Sequence, residues 1–391
     1  MLDKKIFYVV LCYSLFIFLS VTTATGFAAS GDFSTTPTTN HGKRWRIGYL
    51  QGGDYGSYQR SLVAMVEGLV RLGWMEDTPL PLLPNDKDTS VLWKWLATGA
   101  KSDYLEFVAD GWYESGWDKK RRKQVKEQVL RRLNNQQDID LMLALGTWAG
   151  QDLANNDHHV PTLVASTTDP LAAGIISSVE DSGYDHIHAK VDPERHKRQV
   201  RLFKDIFDFD TLGIVYEKSD EGRGFGAIAS VEAVAEELGF KLHSCNAKFN
   251  DVSQKEAEAN VVRCYAKLAE QVDAVYITRH PGVNLANLPR ILAPQIVAKK
   301  PTFAQGLSDE VEHGVLLSIS LANFSYIGDF YAQTLSKIFN GAKPRQLVQR
   351  FQNPPKIAIN LKTAQQIGYD PSVDILGAAD EIYTEVAVAK P

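Results

Sequence analysis

From residue 45 onward, short runs of branched apolar residues alternate with longer stretches in which apolar positions recur every three or four residues. The short runs predict buried strands and the longer stretches predict amphipathic helices. The predicted strands are 46–50, 105–109, 141–145, 162–165, 212–216, 241–245, 274–278, 302–304 and 315–320. The predicted helices are 58–72, 120–134, 193–207, 225–238, 253–271, 285–298 and 325–339. Strands and helices in alternation indicate βαβ units and therefore parallel sheets.

The alternation occurs twice, over 45–190 and over 191–320, and a helix and a last strand at 356–360 follow it. The chain has 391 residues, which is longer than one hydrophobic core usually serves. We therefore expect an α/β protein with two Rossmann-like lobes. The surplus helix and strand at the end predict that the chain crosses between the lobes more than once.

The amino terminus has a different pattern from the rest of the chain. Two lysines precede an unbroken apolar run at 6–21, and small residues follow it up to Ala29. This order is typical of a secretory signal peptide, and the run is shorter than the roughly 20 residues that a membrane-spanning helix needs. We expect cleavage within 24–29 and export to the periplasm as a soluble protein, in which 30–43 form a flexible leader.

Composition and charge narrow the class of partner. Hydrophobic residues make up 44% and charged residues 23% of the chain, as in ordinary folded proteins. The formal net charge is -5, and the one dense basic run, at 119–123, lies on a predicted helix among polar residues. A nucleic-acid partner usually requires a basic patch, so we expect none.

Two cysteines, Cys245 and Cys264, remain once the signal peptide is removed. One ends a predicted strand and the other lies within the helix that follows, so they can meet where that helix packs on the sheet. In an oxidising compartment such a pair can form a disulfide. A buried pair of free thiols is equally compatible with the spacing.

Catalytic and cofactor motifs do not emerge from the sequence. We find no nucleophile elbow, P-loop or zinc-protease motif, and the glycine-rich stretch 222–227 begins about six residues too late after its strand for a dinucleotide turn. His186 and His188 could share a metal with His158 or His159, but no third ligand stands at motif spacing. We expect surface histidines and a binding protein that is not an enzyme, with no metal and no cofactor.

Several segments together resemble a known family. They are 46–51 (RIGYLQ), 140–147 (DLMLALGT), 161–174 (PTLVASTTDPLAAG), 212–216 (LGIVY) and 359–368 (INLKTAQQIG). In this order, and with Thr168-Asp169-Pro170 as the most specific part, the mature chain resembles ABC-transporter substrate-binding proteins of the type I periplasmic fold. The likeness is to the branch that includes tryptophan- and phenylalanine-binding proteins.

The resemblance implies a domain division and a function. The first lobe would comprise 44–190 and 322–345, the second 191–321 and 346–391, joined by a hinge of three crossings. Such a protein closes around a small molecule and delivers it to an ABC permease in the inner membrane. A periplasmic sensor subunit for a membrane signalling protein would use the same residues. An enzyme on this fold would instead turn over the bound molecule.

Ligands of open parallel sheets bind at the carboxyl edge, so the candidate site residues follow the strands. In the first lobe they are Gln51, Gly52, Asp54, Gly146, Thr147, Ser166, Thr168 and Asp169. In the second lobe they are Tyr216, Ser219, Asp220, Thr278, Arg279 and Gln305. Hydroxyl groups at 147 and 168 could hold a carboxylate or phosphate oxygen beside free helical N–H groups, although plain helix caps have the same pattern. Asp169 either shapes its loop or contacts the ligand.

The chain departs from the family at two places. An insertion at 76–102, with its flanks, holds five of the seven tryptophans, and these form either a ligand lid or a packing cluster: Trp74, Trp93, Trp95, Trp112 and Trp117. Arg279 stands where amino-acid-binding relatives tend to have an acidic residue. It binds an anionic ligand group or pairs with Asp309 or Glu310. We therefore expect a small ligand that is anionic or amino-acid-like.

Overall fold

The computed structural model describes residues 33–389 except 84, 86, 307, 322, 323 and 353. The signal peptide predicted over residues 1–29 lies outside the described residues. Within the part of the chain that is described, no helix has the length and apolar character needed to cross a bilayer.

The first lobe is built on a parallel sheet of five strands. They are β1 (Trp45–Gln51), β2 (Leu105–Glu114), β3 (Leu141–Leu145), β4 (Thr162–Ala165) and β5 (Ile187–Ala189), in the order β2-β1-β3-β4-β5. The helices between them are α1 (Gly56–Arg71), α2 (Ser90–Thr98), α3 (Lys119–Arg131) and α4 (Thr147–Leu153). The central strand β3 is buried throughout, because helices cover both faces of the sheet.

The second lobe repeats the same strand order and extends it. Its strands are β6 (Thr211–Tyr216), β7 (Lys241–Asn246), β8 (Ala274–Ile277), β9 (Thr302–Ala304), β10 (Leu317–Leu321), β11 (Pro355–Asn360) and β12 (Glu381–Tyr383). The order is β7-β6-β8-β9-β10-β11-β12, and β11 runs antiparallel to β10 while the other pairs are parallel. The α/β class with two parallel-sheet lobes is confirmed.

The remaining helices surround the second sheet, with one exception. They are α5 (Arg195–Phe207), α6 (Asp220–Phe225), α7 (Ile228–Leu238), α8 (Gln254–Ala269), α9 (Leu288–Val297), α10 (Ser308–Glu312), α11 (Phe324–Phe339), α12 (Leu361–Ile367) and α13 (Val373–Ala378). The exception is α11, which lies against α1 of the first lobe. A side chain on Gly328 would stand 2.1 Å from the carbonyl oxygen of Ala64, so only glycine permits this close approach.

The position of α11 means that the chain passes between the lobes three times. The first passage follows β5, the second joins β10 to α11, and the third joins α11 to β11. The first and third run side by side, because the N–H of Val191 donates to the carbonyl of Gln349 (2.9 Å) and the N–H of Phe351 donates to the carbonyl of Val191 (3.0 Å).

The leader that was expected to be flexible is bound to the first lobe from residue 33 onward. The indole N–H of Trp74 donates to the carbonyl of Thr35 (3.0 Å), and that of Trp45 donates to the carbonyl of Thr38 (2.8 Å). Asn340, beyond the end of α11, donates to the carbonyl of Thr36 (3.0 Å). The leader lacks an apolar pattern because its backbone, not its side chains, makes these contacts.

Most of the tryptophans near the insertion belong to the core. Trp74 and Trp93 are 0% and 1% exposed, and Trp95 and Trp112 pack partly buried on the same apolar cluster. The indole of Trp93 donates to the carbonyl of Val108, which fixes α2 on β2 (3.0 Å). The packing interpretation of the insertion therefore holds for these four.

The structure shows the state of the cysteine pair and the exposure of the histidines. Cys245 and Cys264 form a disulfide that joins β7 to α8. Three of the four histidines expected at the surface are instead buried, since His158, His186 and His188 are 1%, 5% and 0% exposed, whereas His159 is exposed. No group of three or more His, Cys, Asp or Glu side chains in the described residues is arranged to hold a metal ion.

Candidate functional site

The loops that follow the strands of the two sheets meet each other across a cleft. Arg60 of α1, which follows β1, pairs with Asp309 of α10, which follows β9 (2.5 Å). Trp148 of α4, which follows β3, donates its indole N–H to Glu221 of α6, which follows β6 (2.5 Å). These contacts place the two carboxyl edges face to face, where ligands of such sheets bind.

The first lobe presents an aromatic wall to this cleft, formed by Tyr58, Trp117 and Trp148. The ring centroids of Trp117 and Trp148 are 5.3 Å apart, and those of Trp117 and Tyr58 are 6.4 Å apart. Trp117 lies directly on the backbone after β1, since a side chain on Gly53 would stand 2.5 Å from its ring. Trp117 is 42% exposed, unlike the buried tryptophans of the insertion.

Two of the predicted residues at the end of β1 contact this wall. Gly52 lies under the Trp117 ring, and the carbonyl of Asp54 accepts from the indole N–H of Trp117 (3.2 Å). Gln51 is 1% exposed, and its Oε1 accepts from the hydroxyl groups of Tyr49 and Thr89. Gly52 and Asp54 therefore position the aromatic ring, while the Asp54 side chain is exposed.

Glycine is required at the end of β3. Gly146 has φ +90°, and a side chain there would stand 1.8 Å from the hydroxyl of Tyr58. Gly146 is also the residue that precedes α4, so Thr147 begins the helix and does not cap it. In the described part of the chain the hydroxyl of Thr147 has no hydrogen-bond partner, which leaves it available to a ligand.

The loop after β4 carries a second group of hydroxyls. Ser166 has φ +57°, and its Oγ lies 2.6 Å from the Oγ of Ser57 in α1. The hydroxyl of Thr167 is buried and has no partner among the described residues. Thr168 is half-buried and, over the same residues, also makes no side-chain hydrogen bond. The carboxylate of Asp169 accepts from the N–H groups of residues 171 and 172 (both 3.0 Å), so it shapes the loop.

Three of the six second-lobe candidates are engaged in the core or in local structure, and a fourth is exposed. The hydroxyl of Thr278, 1% exposed, donates to the carbonyl of Val215 within the core. Tyr216 is 7% exposed and packs in the apolar core of the lobe. Ser219 caps α6 through the N–H of Gly222 (3.1 Å), and Asp220 is exposed on the first turn of that helix.

Arg279 and Gln305 act as a pair at the end of β8. The N–H of Arg279 donates to the Oε1 of Gln305 (2.7 Å), and the Nε2 of Gln305 donates to the carbonyl of Phe225 (2.9 Å). Gln305 is fully buried, so it fixes the backbone from which Arg279 extends. Burial raises the pKa of Tyr58 in the first lobe, and the charge of Arg279 partly opposes that rise.

The alternative of a salt bridge for Arg279 is not what the structure shows. Asp309 pairs with Arg60 across the cleft instead. Glu310 makes no ion pair with Arg279 within 4.0 Å, and its Oε2 is buried without a hydrogen-bond partner among the described residues. Burial raises the pKa of Glu310 to about 7, and Arg279 only partly opposes this effect.

Sequence reasoning missed two cations at the hinge end of the cleft. Lys190 directly follows β5, and Arg195 is the first residue of α5. Burial, followed by repulsion from Arg195, lowers the pKa of Lys190 to about 8. Burial, followed by repulsion from Arg279, lowers the pKa of Arg195 to about 10. The available signal was that Lys190 follows a strand at a carboxyl edge, but β5 has only three residues and was not among the predicted strands.

The fold and cleft define a class: a two-lobed α/β binding protein of the type I periplasmic fold. The family model described as ABC transporter substrate binding protein matches residues 113–383, well over half of the chain. The chain therefore belongs to the ABC transporter substrate-binding protein family, and the resemblance drawn from the sequence is confirmed.

Solved structures share this fold at low identity. An ABC domain from Streptococcus pneumonia in complex with L-Trp is 21% identical, with a TM-score of 0.64. A conserved domain protein from Vibrio cholerae O1 biovar eltor is 18% identical, with a TM-score of 0.63, and a ligand-free, open substrate binding protein from Clostridium difficile is 17% identical, with a TM-score of 0.58. Each comparison covers 87% of this chain and 100% of the other. No curated protein matches the chain.

Proposed function

We propose that this protein is the periplasmic solute-binding component of an ABC importer, which encloses a small molecule between its lobes and delivers it to an inner-membrane permease. The meeting of the two carboxyl edges, through Arg60 with Asp309 and Trp148 with Glu221, supports this most directly. A ligand between these edges touches both lobes at once. Closure is then more favourable with ligand than without it, which is the difference that a permease can read.

The ligand carries a carboxylate or another strong acceptor group that faces Arg279. This guanidinium extends from a fixed backbone at the end of β8 and has no ion pair among the described residues. A planar guanidinium fork suits the two oxygens of a carboxylate or phosphate. The free hydroxyls of Thr147 and Thr168 supply hydrogen bonds from the opposite lobe, and no bond of the ligand is made or broken.

Small-angle scattering and analysis of the bound molecule test this function together. We expect the mature protein to be monomeric, to release a small molecule on denaturation, and to have a smaller radius of gyration with that molecule than without it. Turnover of the molecule would assign an enzyme instead. An unchanged radius at saturating ligand would contradict closure.

Calorimetry on variants tests the residues. Arg279→Ala should weaken binding by several kcal/mol, because the ligand charge is left buried and unpaired, whereas an exposed ion pair would be worth under about 1 kcal/mol. Thr147→Ala and Thr168→Ala should each weaken binding by about 1 kcal/mol without lowering the unfolding temperature. Lower stability at equal affinity would give the threonines a structural role, and parental affinity in Arg279→Ala would reject the anionic group.

A further inference from the structure

Three cations act on one another near the hinge: Lys190 and Arg195, which flank the first passage between the lobes, and Arg279, which follows β8. In the described residues none of them has an ion pair or a side-chain hydrogen bond. One terminal nitrogen of the Arg195 guanidinium is buried without a partner. The neighbouring carboxylates are engaged elsewhere, because Asp192 pairs with Arg198 (2.6 Å) and Asp309 pairs across the cleft.

A buried hydrogen-bond network fixes Arg195 relative to Arg279. Gln199, one turn after Arg195 on α5, is fully buried and donates to the carbonyls of Gln305 (3.4 Å) and Ile319 (2.8 Å). The hydroxyl of Tyr276 in β8 donates to the Oε1 of Gln199 (2.6 Å). Gln305 in turn accepts from the N–H of Arg279. Residues four apart share one face of a helix, so Arg195 points toward the same sheet edge as Gln199.

The cluster is electrostatically unfavourable by itself. After the larger effect of burial, Arg195 and Arg279 lower the pKa of Lys190, and Arg279 lowers the pKa of Arg195. The carboxylate of Asp192 opposes both shifts only in part. The first turn of α5 contains no acidic residue, although the positive end of the helix dipole favours one there. Glu310 is the carboxyl group that acts on Arg279, and burial raises its pKa toward neutrality, so it offsets only part of one charge. Because the three cations repel one another in the protein alone, the cluster is complementary to a negatively charged ligand.

We propose that the ligand is a small organic dianion, and that Lys190, Arg195 and Arg279 together hold its two negative charges at the hinge end of the cleft. This inference rests on the proposed function and specifies its ligand. Lys190 extends from the first lobe and the two arginines from the second, so one dianion contacts both lobes through charge. Dicarboxylates and phosphate monoesters share this chemistry, while the aromatic wall adjoins the rest of the ligand.

The test is calorimetry on the ligand-stripped mature protein at fixed ionic strength. The dianion probes are succinate, glutarate and glycerol 3-phosphate; the comparison probes are butyrate and the zwitterions L-tryptophan and L-leucine. We expect a dianion to bind at least about tenfold more tightly than any comparison probe, since each additional paired charge contributes that order of affinity. Preference for glycerol 3-phosphate over the dicarboxylates, or the reverse, identifies the anionic groups.

Matched variants locate the charges. Arg195→Gln and Lys190→Gln should each weaken dianion binding by about tenfold or more. Lys197→Gln, on the same first turn but paired with Glu194 (2.9 Å), should leave binding unchanged. Circular dichroism verifies that each variant folds.

The possible results distinguish a failure of the dianion proposal from a failure of the proposed solute-binding function. Tightest binding of butyrate or of a zwitterion, with a reduced radius of gyration, overturns the dianion and retains the solute-binding function. Tight dianion binding that is equal in Arg195→Gln and Lys190→Gln overturns the assignment of the cluster. Binding of none of the six probes, together with a released molecule that has fewer than two acidic groups, also overturns the dianion.

Discussion

His188 links the edge of the first lobe to the hinge, and its protonation should destabilise that lobe. It lies in β5, two residues before Lys190, and is 0% exposed. Its Nε2–H donates to the carbonyl of Val348 in the third passage between the lobes (3.0 Å), and its ring lies against Phe330 of α11 (centroids 5.7 Å). Burial lowers the pKa of His188 to about 4, and only the hydrogen bond to the Val348 carbonyl opposes this effect.

The sign and size of the effect follow from linkage. The pKa is about 6.5 in the unfolded chain and about 4 in the folded one. Above pH 6.5 both states are neutral and the folded state is not penalised. As the pH falls below 6.5 the unfolded chain binds the proton first, so the free energy of unfolding decreases until the pH passes the folded pKa. Between pH 7 and pH 5 the loss from His188 amounts to about 2 kcal/mol.

Urea unfolding followed by tryptophan fluorescence measures this loss in the correct lobe, because all seven tryptophans lie between residues 45 and 148. In His188→Gln, whose amide can still donate to the Val348 carbonyl, the decrease in unfolding free energy from pH 7 to pH 5 should be smaller by about 2 kcal/mol. His41→Gln, at an exposed position, should behave as the parent. An identical decrease in parent and His188→Gln would refute the reasoning that His188 is held neutral by burial.

Two further predictions concern stability. The double variant Cys245→Ala/Cys264→Ala should lower the unfolding free energy of the second lobe by about 3 kcal/mol, because the disulfide closes a loop with a sequence separation of 19. Urea unfolding by circular dichroism measures it, and the reduced parent should show a similar loss. Gly328→Ala should destabilise the first lobe by about 1–3 kcal/mol despite better helix propensity, because α11 is forced from α1. Gly377→Ala in α13, with open space around it, is the control, and an equal effect of both would contradict the steric argument.

The strands were predictable because buried parallel strands are unbroken apolar runs. Strands β3, β4 and β9 have the predicted bounds, and the other predicted strands differ mainly at their ends, whereas the three-residue strands β5 and β12 were not predicted. Six helices of nine residues or fewer were not predicted either, because they have too few turns for a periodic pattern: α2, α4, α6, α10, α12 and α13. The end of β2 was placed five residues too early, because its second half alternates polar and apolar residues across an irregular register with β1.

The edge on which the candidate site lies follows from topology, but the direction of each side chain does not. Thr278 and Arg279 are consecutive residues after the same strand, yet the first turns into the core and the second extends toward the cleft. Lys190 and Arg195 were missed because their proximity to Arg279 arises from chain passages separated by more than 80 residues. Local patterns hold no information about such long-range encounters.

In the proposed function, the cations Lys190, Arg195 and Arg279 would make closure of the lobes depend on a bound ligand. The direct contacts between the lobes, Arg60 with Asp309 and Trp148 with Glu221, favour closure, and an ion pair of this partly exposed kind contributes about 1 kcal/mol or less. If the lobes close as proposed, Lys190 of the first lobe would approach Arg279 of the second, and like charges would oppose that approach. In the empty protein this repulsion would act against the direct contacts between the lobes. A bound dianion replaces the repulsion by attraction to both lobes, so its contribution to closure exceeds its contribution to binding either lobe alone.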